Sequence, residues 1–109
     1  MTKDVLPGSR EKSYDEQQKI VAELAEKSLI SYEVPETLES AACILSQYFS
    51  SNIRLFADNP WTYTRCKEKV PGRQTVVGGF APAGLYVYDY YYYYDFDDDD
   101  IGVAALRKF

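Results

Sequence analysis

The chain has 109 residues, 17 acids against 12 bases for a formal net charge of −5, no histidine, and 46% hydrophobic residues. Such a composition is not that of a disordered chain, no stretch reaches the roughly 20 apolar residues of a membrane span, and the opening Met-Thr-Lys-Asp-Val-Leu-Pro-Gly lacks the apolar run of a secretory signal. Without histidine, catalysis of the Ser-His-Asp or Cys-His kind is excluded within the chain, and Cys43 and Cys66 alone cannot make a four-ligand zinc site.

Residues 1–12 mix charges with Pro7 and Gly8 and read as a flexible lead-in to a single α+β domain over 13–109. Ser13-Tyr14-Asp15-Glu16 matches a capping box, in which Ser13 and Glu16 each satisfy the other's backbone amide. Ile20, Val21, Leu24, Ala25 and Leu29 follow at spacings of three and four, which predicts a helix over about 14–30. Glu23 and Lys27 add an i,i+4 pair in the favourable order. Pro35 suits the first turn of a second helix, and Leu38, Ala41, Ala42, Leu45, Tyr48 and Phe49 supply its apolar face over about 35–50. Asn52 is the expected left-handed cap.

The period then shortens to two. Ile53, Leu55 and Ala57 suggest a short strand at 53–57, and Asp58-Asn59-Pro60 a turn. Strands are expected at 61–67 and at 74–80, the latter bulged at Gly78-Gly79, with turns at Pro71-Gly72 and Ala81-Pro82-Ala83-Gly84. Trp61 reads as a core or hairpin residue. Leu85 to Phe96 holds no Gly, Pro or Asn and is dominated by aromatics, so it predicts one long strand. Asp97 to Asp100 break it as a charged hairpin loop, and Ile101 to Leu106 read as a final strand. Short loops favour antiparallel neighbours. The expected architecture is therefore two layers: two helices on one face of a four- or five-stranded antiparallel meander.

Seven of the eleven tyrosines fall between Tyr86 and Tyr94. Alternation along a strand gathers Tyr86, Tyr88, Tyr90, Tyr92, Tyr94 and Phe96 on one face. Leu85 and Val87 start the other face as core residues, while Asp89, Asp95 and Asp97 mark it as wet further on. Tyrosine is a good strand former whose ladders stabilise sheets, and it also supplies rigid contact area at low entropic cost. The run Asp97, Asp98, Asp99, Asp100, with Asp95 before it, matches positions one, three and five of an EF-hand loop through Asp95, Asp97 and Asp99. The match fails where Asp100 stands for the required glycine and Leu106 for the required glutamate. No metal or cofactor is implied.

Residues 1–73 carry eleven acids and ten bases, a net of −1, and residues 74–109 six acids and two bases, a net of −4. From Gln74 to Leu106 there is no base. Phosphate backbones would be repelled by such a face, so direct nucleic-acid binding is not expected. The pattern suits a basic partner protein, drawn in by electrostatic steering. In being small, acidic and aromatic, the chain resembles in composition nuclease-toxin immunity proteins and phage inhibitors of defence nucleases. The leading expectation is a non-catalytic cytoplasmic binding protein that uses the tyrosine strand and the aspartate turn. Two other readings stand beside it. In one, helices and a curved sheet form a cone whose tyrosines line a pocket, with Asp89 or Asp95 as a general base. In the other, the tyrosine strand pairs with a second copy as a homodimer.

Overall fold

The computed structural model describes residues 1–70, 73–91 and 100–107. The fold is α+β. Its elements are α1 (Tyr14–Ser28), β1 (Tyr32–Glu33), α2 (Thr37–Ser51), β2 (Tyr63–Val70), β3 (Arg73–Ala81), β4 (Gly84–Tyr91), β5 (Ile101–Gly102) and β6 (Leu106–Arg107). They form a four-stranded sheet in the order β4-β3-β2-β5 and a two-stranded ribbon of β1 with β6.

The first helix begins where its capping box lies: the Glu16 amide donates to Ser13 Oγ at 3.2 Å, and the Ser13 amide to the Glu16 carboxylate at 3.4 Å. Leu29 closes α1 in the left-handed region and is exposed, so it is a cap and not part of the buried stripe. The second helix starts two residues later than Pro35, which is buried ahead of it. Glu68 of β2 reaches over to accept from both the Thr37 amide at 2.8 Å and its hydroxyl at 2.9 Å. A carboxylate at a helix N-terminus satisfies a free amide and meets the positive end of the dipole. Asn52 ends α2 in the left-handed region, its amide donating to Tyr48 O.

The expected meander is not what forms. β2, β3 and β4 are antiparallel neighbours, but β5 lies at the far edge, parallel to β2, with Tyr63 opposite Ile101. β4 lies at one edge of the sheet and β5 at the other, so the two are not paired as a hairpin. The strand expected at 53–57 is irregular. Phe56 turns through positive φ into the core, and its carbonyl accepts from the Phe80 amide.

Two cores result in place of one helical layer. Ile44 of α2 packs with Phe56, Cys66, Val77, Phe80, Ala104 and Val5 against the sheet. Val21 of α1 packs with Val34, Val103 and Ala105 around the ribbon. The expected final strand is thus two short pieces around residues 103–105, which form a wall between the cores. Ala104 faces one and Val103 and Ala105 the other. This explains an uncharged run from Ile101 to Leu106, since residues 101–105 are all buried. The wall is closed by the segment expected as a lead-in. Leu6 N donates to Val103 O, Thr2 N to Ala105 O, and buried Ser9 Oγ accepts from Val103 N.

Candidate functional site

Strand β4 forms one edge of the sheet and carries the start of the tyrosine run. Its register sets the rows. Tyr86 lies opposite Gly78, which lies opposite Tyr63; Tyr88 lies opposite Val76, which lies opposite Arg65; Tyr90 lies opposite Gln74. The other face carries Val87 opposite Val77 and Asp89 opposite Thr75, and it is the face that α2 covers. There Cys66 Sγ and Ser40 Oγ approach to 3.6 Å.

At the first row the sheet ends in an aromatic cluster. Trp61 and Tyr63 stack with ring centroids 6.3 Å apart and planes at 5°, and Tyr86 meets Trp61 at 6.5 Å and 60°. Trp61 is 44% exposed and Tyr86 48%. A turn from Asp58 to Trp61, with a cis Asn59–Pro60 bond, swings the indole into place. It is held by Thr62 N donating to Ala57 O and Thr62 Oγ1 donating to Pro60 O. The bulge in β3 makes room. Gly79 sits at φ +60, and a Cβ there would stand 2.7 Å from Tyr63 Oη and 3.1 Å from the indole. Only a bare backbone lets these rings lie over β3. Arg10 borders the cluster, donating to Thr62 Oγ1 at 2.9 Å and Trp61 O at 3.5 Å. Half-buried Asp100 joins it through its backbone, its carbonyl accepting from Tyr63 N at 2.9 Å.

Of the residues singled out in the sequence, Tyr86 is therefore exposed and part of a cluster. Tyr88 and Tyr90 are placed by backbone register, and Asp100 is placed beside Tyr63. Tyr92, Tyr94, Phe96, Asp95, Asp97, Asp98 and Asp99 lie outside the described residues. One expectation changes: Val87, on the edge strand of the sheet, is 50% exposed and so is not a core residue. The rows of the tyrosine face also hold Val76, Gln74 and Arg65, all buried. Of the two places expected for Trp61, core or hairpin, it takes the hairpin, bridging antiparallel to Asp58, and its indole joins the surface cluster. Charge is also partitioned differently in space than along the chain. Arg10 reaches the cluster from the first half, and buried Arg65, whose Nη1 donates to Lys12 O, sits in the Tyr88 row.

Surface hollows lie elsewhere among the described residues. One of about 330 Å³ sits between α1 and β1, beside the Lys67–Glu33 pair. Another of about 420 Å³ lies along α2 at Cys43 and Gln47, and one of about 190 Å³ lies at Leu6 and Ile20. Among the described residues no three metal-ligating side chains gather, and no helix is long and apolar enough to cross a membrane.

The cysteines are free thiols. Burial pushes Cys66 up to about 11, against a smaller opposing effect from the Ser40 hydrogen bond, so it is a packed neutral group and not an activated nucleophile. Tyr14 is also raised, chiefly by burial. Both groups favour the protonated state more in the folded chain than in the unfolded one. The stabilisation from Cys66, at most about 3 kcal/mol, is therefore complete below about pH 9 and is lost as pH climbs through about 11, while that from Tyr14 is lost only above its ordinary value of 10. Urea midpoints measured from pH 8 to 11 should fall, and Cys66→Ala should flatten that fall; an unchanged slope would contradict the assignment. No family model, curated protein or solved structure matches this chain.

Proposed function

We propose that this chain is a non-catalytic binding protein. It contacts a basic surface of a partner protein through Trp61, Tyr63 and the tyrosine strand (Tyr86, Tyr88, Tyr90, Tyr92, Tyr94, Phe96), flanked by Asp95 and Asp97–Asp100. The observation that carries this reading is the exposed Trp61–Tyr63–Tyr86 cluster at the end of the sheet. Large rings that are stacked, held by a turn and half exposed are what interface hot spots are made of. The net charge of −4 over residues 74–109 gives the same half a preference for cationic partners.

The test begins with capture of partners from the native host at low salt and their elution at high salt, followed by binding kinetics on the purified partner. Changing Asp97–Asp100 to Asn should slow association about tenfold at low ionic strength and flatten its salt dependence. Tyr86→Ala should leave association alone and speed dissociation about tenfold. An acidic partner, or wild-type kinetics in both variants, would sink the proposal.

A further inference from the structure

Helix α2 presents a second surface, on the outer side of the molecule from the sheet. Ser40 and Ile44 face the core. Beside that face Leu38 is 79% exposed and Phe49 81%, with exposed Ala42 between them and half-buried Leu45 at the border, where it also packs against the core. These four residues are spaced four, three and four apart, the spacing of a coiled-coil seam, and they fall within a stripe about 60° wide. The rest of the helix is almost uncharged. One of its fifteen residues, Glu39, carries charge, whereas α1 carries six in the same length. A helix that meets only water ordinarily presents charge on that side.

We propose that this seam is a self-association surface, on which α2 packs antiparallel against α2 of a second copy. The spacing is symmetric about its midpoint, so a two-fold axis there sets Leu38 against Phe49 of the other copy and Ala42 against its Leu45. Large residues meet at the ends, and a small residue receives a large one at the centre. With Ile53 the seam exposes on the order of 500 Å² per copy, so pairing buries roughly 1,000 Å², the lower bound of a specific interface. Association should be weak, with a dissociation constant of the order of 100 µM. The aromatic cluster lies on the other face of the sheet, so a dimer would display two copies of it.

Sedimentation velocity from about 10 µM to about 1 mM tests this, and the substitutions needed lie on exposed positions. The wild-type chain should dimerise with concentration. Phe49→Glu alone and Leu38→Lys alone should each weaken dimerisation at least tenfold, and Tyr86→Ala should leave it unchanged. Mixing Phe49→Glu with Leu38→Lys should restore a heterodimer, because antiparallel pairing sets the new charges against each other; parallel pairing would not. A wild-type chain that stays monomeric, self-association that survives Phe49→Glu, self-association abolished by Tyr86→Ala, or a mixture that fails to pair would each overturn the proposal.

Discussion

Gly78→Ala is expected to cost about 3 kcal/mol of stability, the upper end for overpacking a close backbone contact. A Cβ on Gly78 would collide with the carbonyl oxygen of Thr62 and stand 2.7 Å from Tyr63 Cα. Both are backbone atoms at the start of the neighbouring strand, so no side-chain rotation relieves the clash. The same carbonyl accepts the Gly79 amide at 2.9 Å, the bond that fixes the bulge, and Gly78 itself sits at φ +156. Moving the strands apart would weaken the Tyr86–Gly78–Tyr63 row and unseat the stacked rings. Urea unfolding followed by circular dichroism should show the lost stability. The emission of Trp61, the single tryptophan, should show the disturbed stack in the folded variant. A variant with wild-type stability and emission would mean that β2 and β3 do not approach this closely.

What the sequence made legible was local. The Ser13–Glu16 box and the Asn52 cap each depend on neighbours within four residues and stand where expected, and the Gly78-Gly79 bulge is marked by its glycines although Thr62 of the neighbouring segment fixes it. Strand order depends on distant pairing. The uncharged run from Ile101 was readable as a buried segment, but its parallel place beside β2 is set by Tyr63–Ile101 and Thr64–Gly102 pairing. Residues 1–12 looked like a lead-in because their composition is polar. They are held by backbone amides that donate to the carbonyls of Val103 and Ala105 and by Ser9 and Thr2 hydroxyls that accept from the amides of the same two residues, because a buried wall leaves both kinds of group to be satisfied.

The candidate site was half legible for the same reason. Alternation alone puts Tyr86, Tyr88 and Tyr90 on one face. That Trp61 and Tyr63 complete the cluster required the register of β2 on β3. A signal was nonetheless present: aromatics two residues apart share a face, and a Gly-Gly bulge in the next strand is a place for a ring to lie. Arg10 left no such signal, since it arrives across a separation of more than fifty residues.

Ile44→Ala should cost about 3–4 kcal/mol, a sizeable part of the ordinary stability of a domain. Ile44 has no exposed surface and belongs to the core cluster with Phe56, Cys66, Val77, Phe80 and Ala104. Removing its outer carbons leaves a cavity walled by a helix and a sheet that cannot both close on it. Leu38→Ala and Phe49→Ala should cost only a few tenths of a kcal/mol in dilute solution, because both side chains already face water. The contrast follows from the phase of α2. Its sequence is apolar on nearly every side, so spacing alone selected Leu38 and Phe49 as core positions. The sheet decides otherwise: Ser40 meets Cys66 at 3.6 Å, where a larger residue would hold the helix off, and Tyr48 packs edge-on to Phe80 at 5.2 Å. These contacts turn Ile44 inward and leave Leu38 and Phe49 outside. Urea midpoints for the three variants at about 5 µM, below the range of any pairing through α2, separate the two phases of the helix. Equal losses in all three would place Leu38 and Phe49 in the core and remove the seam; a loss confined to Ile44 leaves that seam free for a second copy.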